Sequence, residues 1–480
     1  MNLRLALALA PDSVQALWRH PALAGAPRPR GKVERWAWLD TAEAGLARAE
    51  LVLRELPQGN RRLYRPLPSA GLHLPGSPTA AEELLPAGVA PPEAAGAALQ
   101  PIAHYTGRLQ QRPPGAEGVA LVLRSGSVTA GAVTRPVAIL ELEGPAAGVL
   151  DLAGGLAADL PLLPAAVSLD AMALALRAGG AAMRGGRRGP PDLGMAETAT
   201  DALALAIAHL TEVLLAYAPF ARPEHGPEAV HQLRVAARRL RSCLRLFRPA
   251  LDGPALRALD AGLRDFARAL GEAREWDVFL TEMGAEISAA LGSERRWARL
   301  LRAAEARRQA AYASLRTMLE GPDFRSMVWQ AVRLAALRDW TTTQEEIPPL
   351  RVVAAGLLAK RRRRLLKDGR AIETLADNAL HELRLQAKRL RYAAELFAPL
   401  WPGKPARRFL KRISALQQVL GLANDTVSAR SLMASLGGSA PAWAIGLAEG
   451  WALSASRGMR QAALPAWRRF GKLSPFWDAP

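Results

Sequence analysis

Cysteine is almost missing from this chain: Cys243 is the only one among 480 residues. That excludes a disulfide framework and any cysteine-based zinc site. Aromatic side chains are scarce at 5%, so platforms for stacking nucleobases are few. Of the seven histidines, His104, His209 and His225 stand alone. Neither His231 nor His381 has a Cys, Asp or second His at i+3 or i+4 to build a local metal chelate. No phosphate-binding P-loop, dinucleotide fingerprint or nucleophile elbow occurs. No uninterrupted apolar stretch approaches the ~20 residues of a membrane span. The opening MNLRLALALAPDS lacks a signal-peptide cleavage pattern and reads as an amphipathic strand, so a cytoplasmic protein is expected.

What is present is positive charge, unevenly spread. Lys and Arg number 63 against 44 Asp and Glu, a formal net charge of +19. The first 200 residues hold 19 basic and 17 acidic side chains, and the remaining 280 hold 44 and 27. Proline leans the other way, with 21 in the first 200 residues and 15 in the rest. The sequence describes two bodies, one near neutral and Pro-rich, the other strongly basic. Such an excess points to an anionic partner: nucleic acid, polyphosphate or a membrane surface.

The first part reads as short strands at 3–10, 34–40, 50–56, 61–67, 118–126 and 135–144, with helical stretches at 11–20 and 148–160. An antiparallel sheet or barrel with helices at its ends is expected, an α+β domain. Residues 178–194, rich in Gly, Pro and Arg, read as a linker. From 195 onward the pattern is all-α. Helices are predicted at 195–220, 228–248, 254–271, 274–291, 293–319, 323–338, 350–367, 377–397, 404–421, 424–435 and 441–463.

An internal repeat dominates the basic part. HQLRVAARRLRSCLRLFRP (231–249) and HELRLQAKRLRYAAELFAP (381–399) align without a gap at an offset of 150, with ten of nineteen positions identical. The offset persists through Leu270/Leu420, Gly271/Gly421 and Ala273/Ala423. With His231 set at 0°, Arg234, Arg238, Arg241, Arg245 and Arg248 fall at about 300°, 340°, 280°, 320° and 260° on a helix. The apolar set Leu233, Ala237, Leu240, Leu244 and Phe247 occupies roughly 160–240°. The basic stripe, about 25 Å long, therefore borders the core face instead of opposing it. Like charges in a row repel unless an anion neutralises them. The second copy keeps His381, Arg384, Lys388 and Arg391, but carries Glu395 and Ala398 further along. Lys360–Arg364 forms a KRRRR run, read as a solvated helix surface. Lys404, Arg408 and Lys411 repeat at i, i+4, i+7 with Arg407 and Arg412 beside them.

The duplicated H-x-x-R-x-x-x-[RK]-R-L-R-x₄-L-F helices, with LG-x-A-R-[ED] and LG-x-x-ND segments after them, resemble the CHAD family (conserved histidine α-helical domain). The resemblance covers about 195–470. It implies two four-helix bundles related by a pseudo-twofold axis (halves of about 195–335 and 350–475), a basic central cavity that binds inorganic polyphosphate, and association with polyphosphate granules. The family's histidines fall on His231 and His381. Its basic residues fall on Arg234, Arg238, Arg239, Arg241, Arg384, Lys388, Arg389 and Arg391. Arg245, Lys404, Arg408 and Lys411 join the candidate set from the stripes themselves.

Residues 1–177 resemble, in layout, a CYTH domain, the triphosphate tunnel fold that often precedes a CHAD domain. Its opening Glu-x-Glu-x-Lys is replaced here by Asn2-Leu3-Arg4-Leu5-Ala6. Arg54 matches a tunnel arginine, and Glu141 and Glu143 resemble a late acidic strand. With the paired entry carboxylates missing, no catalytic residue and no metal ligand is assigned; Mg or Mn would be a cofactor only of an active tunnel. The expectation is a non-catalytic polyphosphate-binding protein. The alternatives are an inorganic triphosphatase with a CHAD accessory domain, and a nucleic-acid-binding protein, which the scarcity of aromatic residues disfavours.

Overall fold

The computed structural model describes residues 2–24, 27–56, 61–66, 72–73, 82–86, 88–94, 96–115, 118–179, 189–342, 348–457 and 459–478. At 61, 66, 72, 73, 377, 421–428, 455–457 and 459–462 the backbone alone is described. Residues 180–188 of the linker segment lie outside the described residues. Two compact units emerge. One comprises Met1–Arg188, Thr211–Tyr217 and Glu320–Arg338; the other comprises Gly189–Leu210, Ala218–Leu319 and Asp339–Pro480.

The first unit is built on an antiparallel sheet. Its strands are β1 (Asn2–Ala8), β2 (Lys32–Thr41), β3 (Leu51–Glu55), β4 (Arg61–Pro66), β5 (Leu72–His73), β6 (Glu83–Pro86), β7 (Leu99–Arg112), β8 (Ala120–Ala130), β9 (Val133–Pro145) and β10 (Leu163–Pro164). Their order is β10-β1-β9-β8-β7-β2-β3-β4-β6, with β5 also paired to β1. Alternation decides the faces. On β1, Leu3, Leu5 and Leu7 are buried while Arg4 and Ala6 turn to the other side. Four helices accompany the sheet: α1 (Val14–Arg19), α2 (Gly45–Arg48), α3 (Ala146–Asp159) and α4 (Leu169–Arg177). Helix α4 places Ala173 and Leu176 in one apolar cluster with Trp36, Trp38, Tyr105 and Val128.

Several elements differ from the sequence reading, among them α4, β5, β6 and β10, which it did not include. Strand β7, the longest, had no predicted counterpart, because Pro101 and Gly107 interrupt a weak alternation. Pro101 is tolerated there because the pairing with β2 shifts register between Trp38 and Leu39, a bulge that needs no proline N–H. The segment predicted at 323–338 is helical but joins the sheet unit: Trp329 Nε1 donates to Leu162 O at 3.0 Å and Arg333 pairs with Asp151 at 2.7 Å.

The remaining helices are α5 (Ala199–Tyr217), α6 (Glu228–Phe247), α7 (Pro254–Thr281), α8 (Met283–Leu291), α9 (Arg295–Glu320), α10 (Pro322–Leu337), α11 (Leu350–Asp368), α12 (Asp377–Phe397), α13 (Lys404–Leu436), α14 (Ala442–Arg457) and α15 (Met459–Gly471). Predicted breaks at 272–273 and 422–423 do not occur; α7 and α13 each run through their glycine. The repeat packs as its period demands. Leu233, Ala237, Leu240, Leu244 and Phe247 are buried, and so are their counterparts Leu383, Ala387, Leu390, Ala394 and Phe397. Each fully buried leucine or phenylalanine contributes about 1.5–3 kcal/mol of transfer free energy.

By length and composition alone, Ala199–Phe220 passes for a helix able to cross a membrane, although Asp201 and Glu212 interrupt its apolar run. Its most apolar window is 67% buried within the protein, as in a core helix.

Candidate functional site

Helices α6 and α12 bring the two copies of the repeat together. Phe247 meets Phe397, its counterpart 150 residues on, edge to face with ring centroids 5.8 Å apart. Ser242 and Tyr392, Cys243 and Ala393, and Leu246 and Leu396 are counterparts lining one crevice between the helices. Cys243 is buried there, and burial pushes its thiol up to about 12, so it is an inert core residue.

The same two helices carry the stripes. Lys388 on α12 is partly buried, and Arg238 and Arg234 of α6 act on it together with Arg384 and Arg391 of its own helix. Burial first, and then these four guanidiniums, bring its ammonium down to about 7. Arg234 is shifted below its ordinary value by burial and then by Arg238. Its Nη1 rests against α7, 3.5 Å from Ala267 O, where Gly271 leaves room: a β-carbon at that glycine would lie 2.9 Å from Nη1. Glu275, also on α7, attracts Arg234 but is itself raised by burial. Among the described residues no ion pair closes between them, so burial outweighs attraction at both ends. No described carboxylate pairs with Arg238 or Lys388 either.

The two histidines are not equivalent. His231 is half-buried, and burial followed by Arg274 on α7 holds its imidazole below the usual range. It is neutral at pH 7 and able to hydrogen-bond an anion. His381 is exposed. Arg274 is the residue that the candidate set omits. Its place beside His231 depends on how α6 and α7 pack, although its polar character at the repeat position Arg274/Asn424 is visible in the sequence. Asn424 and Asp425 belong to the part of α13 described by backbone alone.

Other members of the set are engaged. Arg241 Nε donates to Asp260 Oδ1 at 2.9 Å, and Arg245 Nε lies 3.4 Å from Asp260 Oδ2. Arg239 Nη2 and Arg391 Nε donate to the two oxygens of Glu395 at 2.9 and 2.6 Å. Arg391 also reaches Gln417 of α13 at 3.3 Å. Exposed Arg389 offers its carbonyl to Arg361 Nη1 at 2.9 Å. Lys404, Arg408 and Lys411 are exposed on α13, roughly 120–180° around the helix from Gln417, and are not brought to the Arg234–Lys388 cluster. The KRRRR run is only half a solvated surface: Arg361 and Arg362 turn inward, Arg362 donating to Leu473 O at 2.7 Å, while Lys360, Arg363 and Arg364 stay exposed.

In the sheet unit, Glu141 is held by two cations, Arg4 at 3.0 Å and Arg124 at 3.0 Å, and Arg124 also pairs with Glu34 at 3.4 Å. Glu143 is exposed. Arg54 lies over the Trp36 ring at 4.9 Å, and Trp36 stacks on Tyr105 at 4.2 Å. Asp170 of α4 receives Arg65 at 2.6 Å and Trp38 Nε1 at 2.6 Å, with Arg54 at 3.8 Å. Burial alone would raise the Asp170 carboxyl; Arg54 and Arg65 outweigh it and hold it below its ordinary value. A divalent metal ion needs carboxylates with free lone pairs. Glu141 offers two oxygens already bound by guanidiniums, and Arg4 would repel the cation, so these residues do not fit a metal. Among the described residues no three His, Cys, Asp or Glu side chains come together.

Residues 205–434 match the model of the CHAD domain family. Among solved structures, the chain is similar to the CHAD domain of the plant Ricinus communis at 29% identity, covering 58% of this chain and 93% of that one, with a TM-score of 0.48. It is similar to PptA from Streptomyces chartreusis at 19% identity over 57% and 100% of the two chains, with a TM-score of 0.43. A Hippeastrum protein described as having a dominant triphosphatase activity aligns at 16% identity over 36% of this chain and 96% of its own, with a TM-score of 0.26. No curated protein matches the chain.

Proposed function

We propose that this protein, whose residues 205–434 match the CHAD domain family, binds inorganic polyphosphate without hydrolysing it, in a basic cavity between α6 and α12. The observation that carries this reading is Lys388: a partly buried ammonium acted on by four guanidiniums and paired with no described carboxylate. Holding such a group costs stability unless an anion arrives to neutralise it. Arg234, Arg238, Arg384 and Lys388 form the proposed contact set, with His231 and Arg274 beside it. Guanidinium forks bind phosphate oxygens bidentately, and a condensed phosphate chain presents such oxygens at every residue. Nucleic acid fits less well, since aromatic side chains make up 5% of the chain and do not interleave with the basic stripes, whereas base stacking uses several. Residence on polyphosphate granules in the cytoplasm follows from the same reading. In the sheet unit, triphosphatase chemistry would need the metal site that Glu141 does not supply.

The test is competition at matched phosphate concentration, because salt weakens polyphosphate and DNA binding alike. Polyphosphate is expected to displace single- and double-stranded DNA, and DNA not to displace polyphosphate. Arg234→Glu with Arg384→Glu should lower polyphosphate affinity at least tenfold, and Arg363→Glu with Arg364→Glu, on the exposed side of α11, less than threefold. Equal losses from the two pairs would mean diffuse attraction to a basic surface and would remove the site.

A further inference from the structure

The cations of the two stripes are not equally available to a ligand. Asp260 engages Arg241 and Arg245, and Glu395 engages Arg239 and Arg391. Both acids are single-copy features of a duplicated region. The residue 150 places after Asp260 is Leu410, and the residue 150 places before Glu395 is Arg245. Each half therefore carries a carboxylate that the other lacks, on α7 in one and on α12 in the other, and each carboxylate serves two guanidiniums. Both acid side chains are 14% exposed, as Arg239 and Arg241 nearly are at 17% and 18%, so those two charge-assisted bonds form where water competes poorly, while Arg245 is 52% exposed and lies 3.4 Å from Asp260. Arg241, Arg245 and Arg391, with Arg239 beside the stripe, are engaged in this way, and half of their charge is offset. Beyond them the contact between α6 and α12 turns apolar at Phe247 and Phe397. On α6 the part left without a described carboxylate partner is the step from Arg234 to Arg238, about 6 Å along the axis, with Lys388 facing it.

We infer that Asp260 and Glu395 set the length of phosphate chain the helical region grips, limiting it to a short run of condensed phosphates however long the whole chain is. This rests on the polyphosphate reading above and deepens it. A free tripolyphosphate would fill the contact. A long polymer would enter it with one short stretch and leave the rest outside.

Salt dependence counts the contacts. Each phosphate neutralised lowers log K by about 0.7 per unit of log salt for a single strand, so three or four cations give a slope of about 2–3. Tripolyphosphate and long-chain polyphosphate should show that same slope on the full-length protein. Asp260→Asn with Glu395→Gln frees four guanidiniums. The two lost carboxylates add a net two positive charges, so the long-chain slope should then rise by about 1.4, while the slope for tripolyphosphate, too short to reach them, stays. Asp260→Glu keeps the carboxylate and should leave both slopes in place. If the double variant does not fold, Asp260→Asn alone frees Arg241 and Arg245 and should add about half of that rise. A wild-type slope that already grows with chain length, unmoved by the substitutions, would overturn the inference and leave polyphosphate binding intact. Failure of both ligands to bind the wild type would remove the proposed function and the inference with it.

Discussion

Arg234 and Gly271 are fitted to one another: Nη1 of the arginine occupies the space a β-carbon on the glycine would need, at 2.9 Å. Glycine inside a helix costs about 1 kcal/mol relative to alanine, so a glycine in the middle of α7 calls for a reason of this kind. Gly271→Ala should therefore move the guanidinium away from α7 while leaving the protein as stable or slightly more so. Polyphosphate affinity is expected to fall about three- to tenfold with no drop in melting temperature. An affinity unchanged by the methyl group would mean that the place of Arg234 against α7 has no part in binding.

Lys388 gives the helical region a pH dependence of definite sign. Its ammonium titrates near 7 in the folded protein, down from an ordinary value of 10.5. Between those values the unfolded chain holds a proton that the folded chain lacks, so the stability of the ligand-free protein should rise with pH across that window. Binding of an anion favours the charged form. At pH 8–9 polyphosphate should bind with proton uptake, and its affinity should weaken as pH rises above about 7. Calorimetry in buffers of different ionisation enthalpy measures the proton count, and Lys388→Arg should abolish the uptake. His231, held below its usual range, does not titrate in this window. Binding at pH 8–9 without proton uptake would show that Lys388 stays outside the contact.

Asp170 predicts how the sheet unit fails. It is 2% exposed and serves Arg65, Arg54 and the Trp38 indole. Removing one member of a buried ion pair leaves the partner charge uncompensated, at a cost of about 3–5 kcal/mol. Asp170→Asn should lower the melting temperature of this unit by several degrees while Glu143→Gln, at an exposed position, changes it little. Because the folded carboxyl lies below its ordinary value, its contribution is complete above about pH 4 and is lost only at more acid pH. Asp170→Asn should erase that acid limb. A variant as stable as the wild type would mean that the two arginines find other acceptors.

Much of the helical region is legible in the sequence because its signals are periodic and doubled. The apolar stripe of 231–247 and its copy at 381–397 locate the buried faces of α6 and α12, and the charges beside them locate the cationic side. What the sequence conceals are relations set by packing between helices. Gly271 reads as a helix stop, yet α7 passes through it, because the missing side chain serves Arg234 on a neighbouring helix. Glu395 reads as a lost cation, whereas it is a counterion for Arg239 and Arg391. Arg245 reads as one more member of the stripe, but Asp260, fifteen residues on and one helix away, lies within reach of it. Strand β7 is hidden for a local reason, a proline accommodated by a bulge in the strand itself, at Ile102. The association of α10 with the sheet unit depends on Trp329 and Arg333 meeting residues more than 150 positions earlier, a distance over which no periodicity carries information.

The bond from Trp38 to Asp170 spans 132 residues of sequence and that from Arg65 to Asp170 spans 105. Loop closure of this length is slow, and it comes late during synthesis, since the N-terminal strands leave the ribosome well before α4 does. Until residue 170 emerges, the Trp38 indole N–H and the Arg54 guanidinium lack this acceptor, and Arg65 has Glu82 in its place. A chain ending before Leu169 lacks the carboxylate that joins Trp38, Arg54 and Arg65, three residues of separate strands.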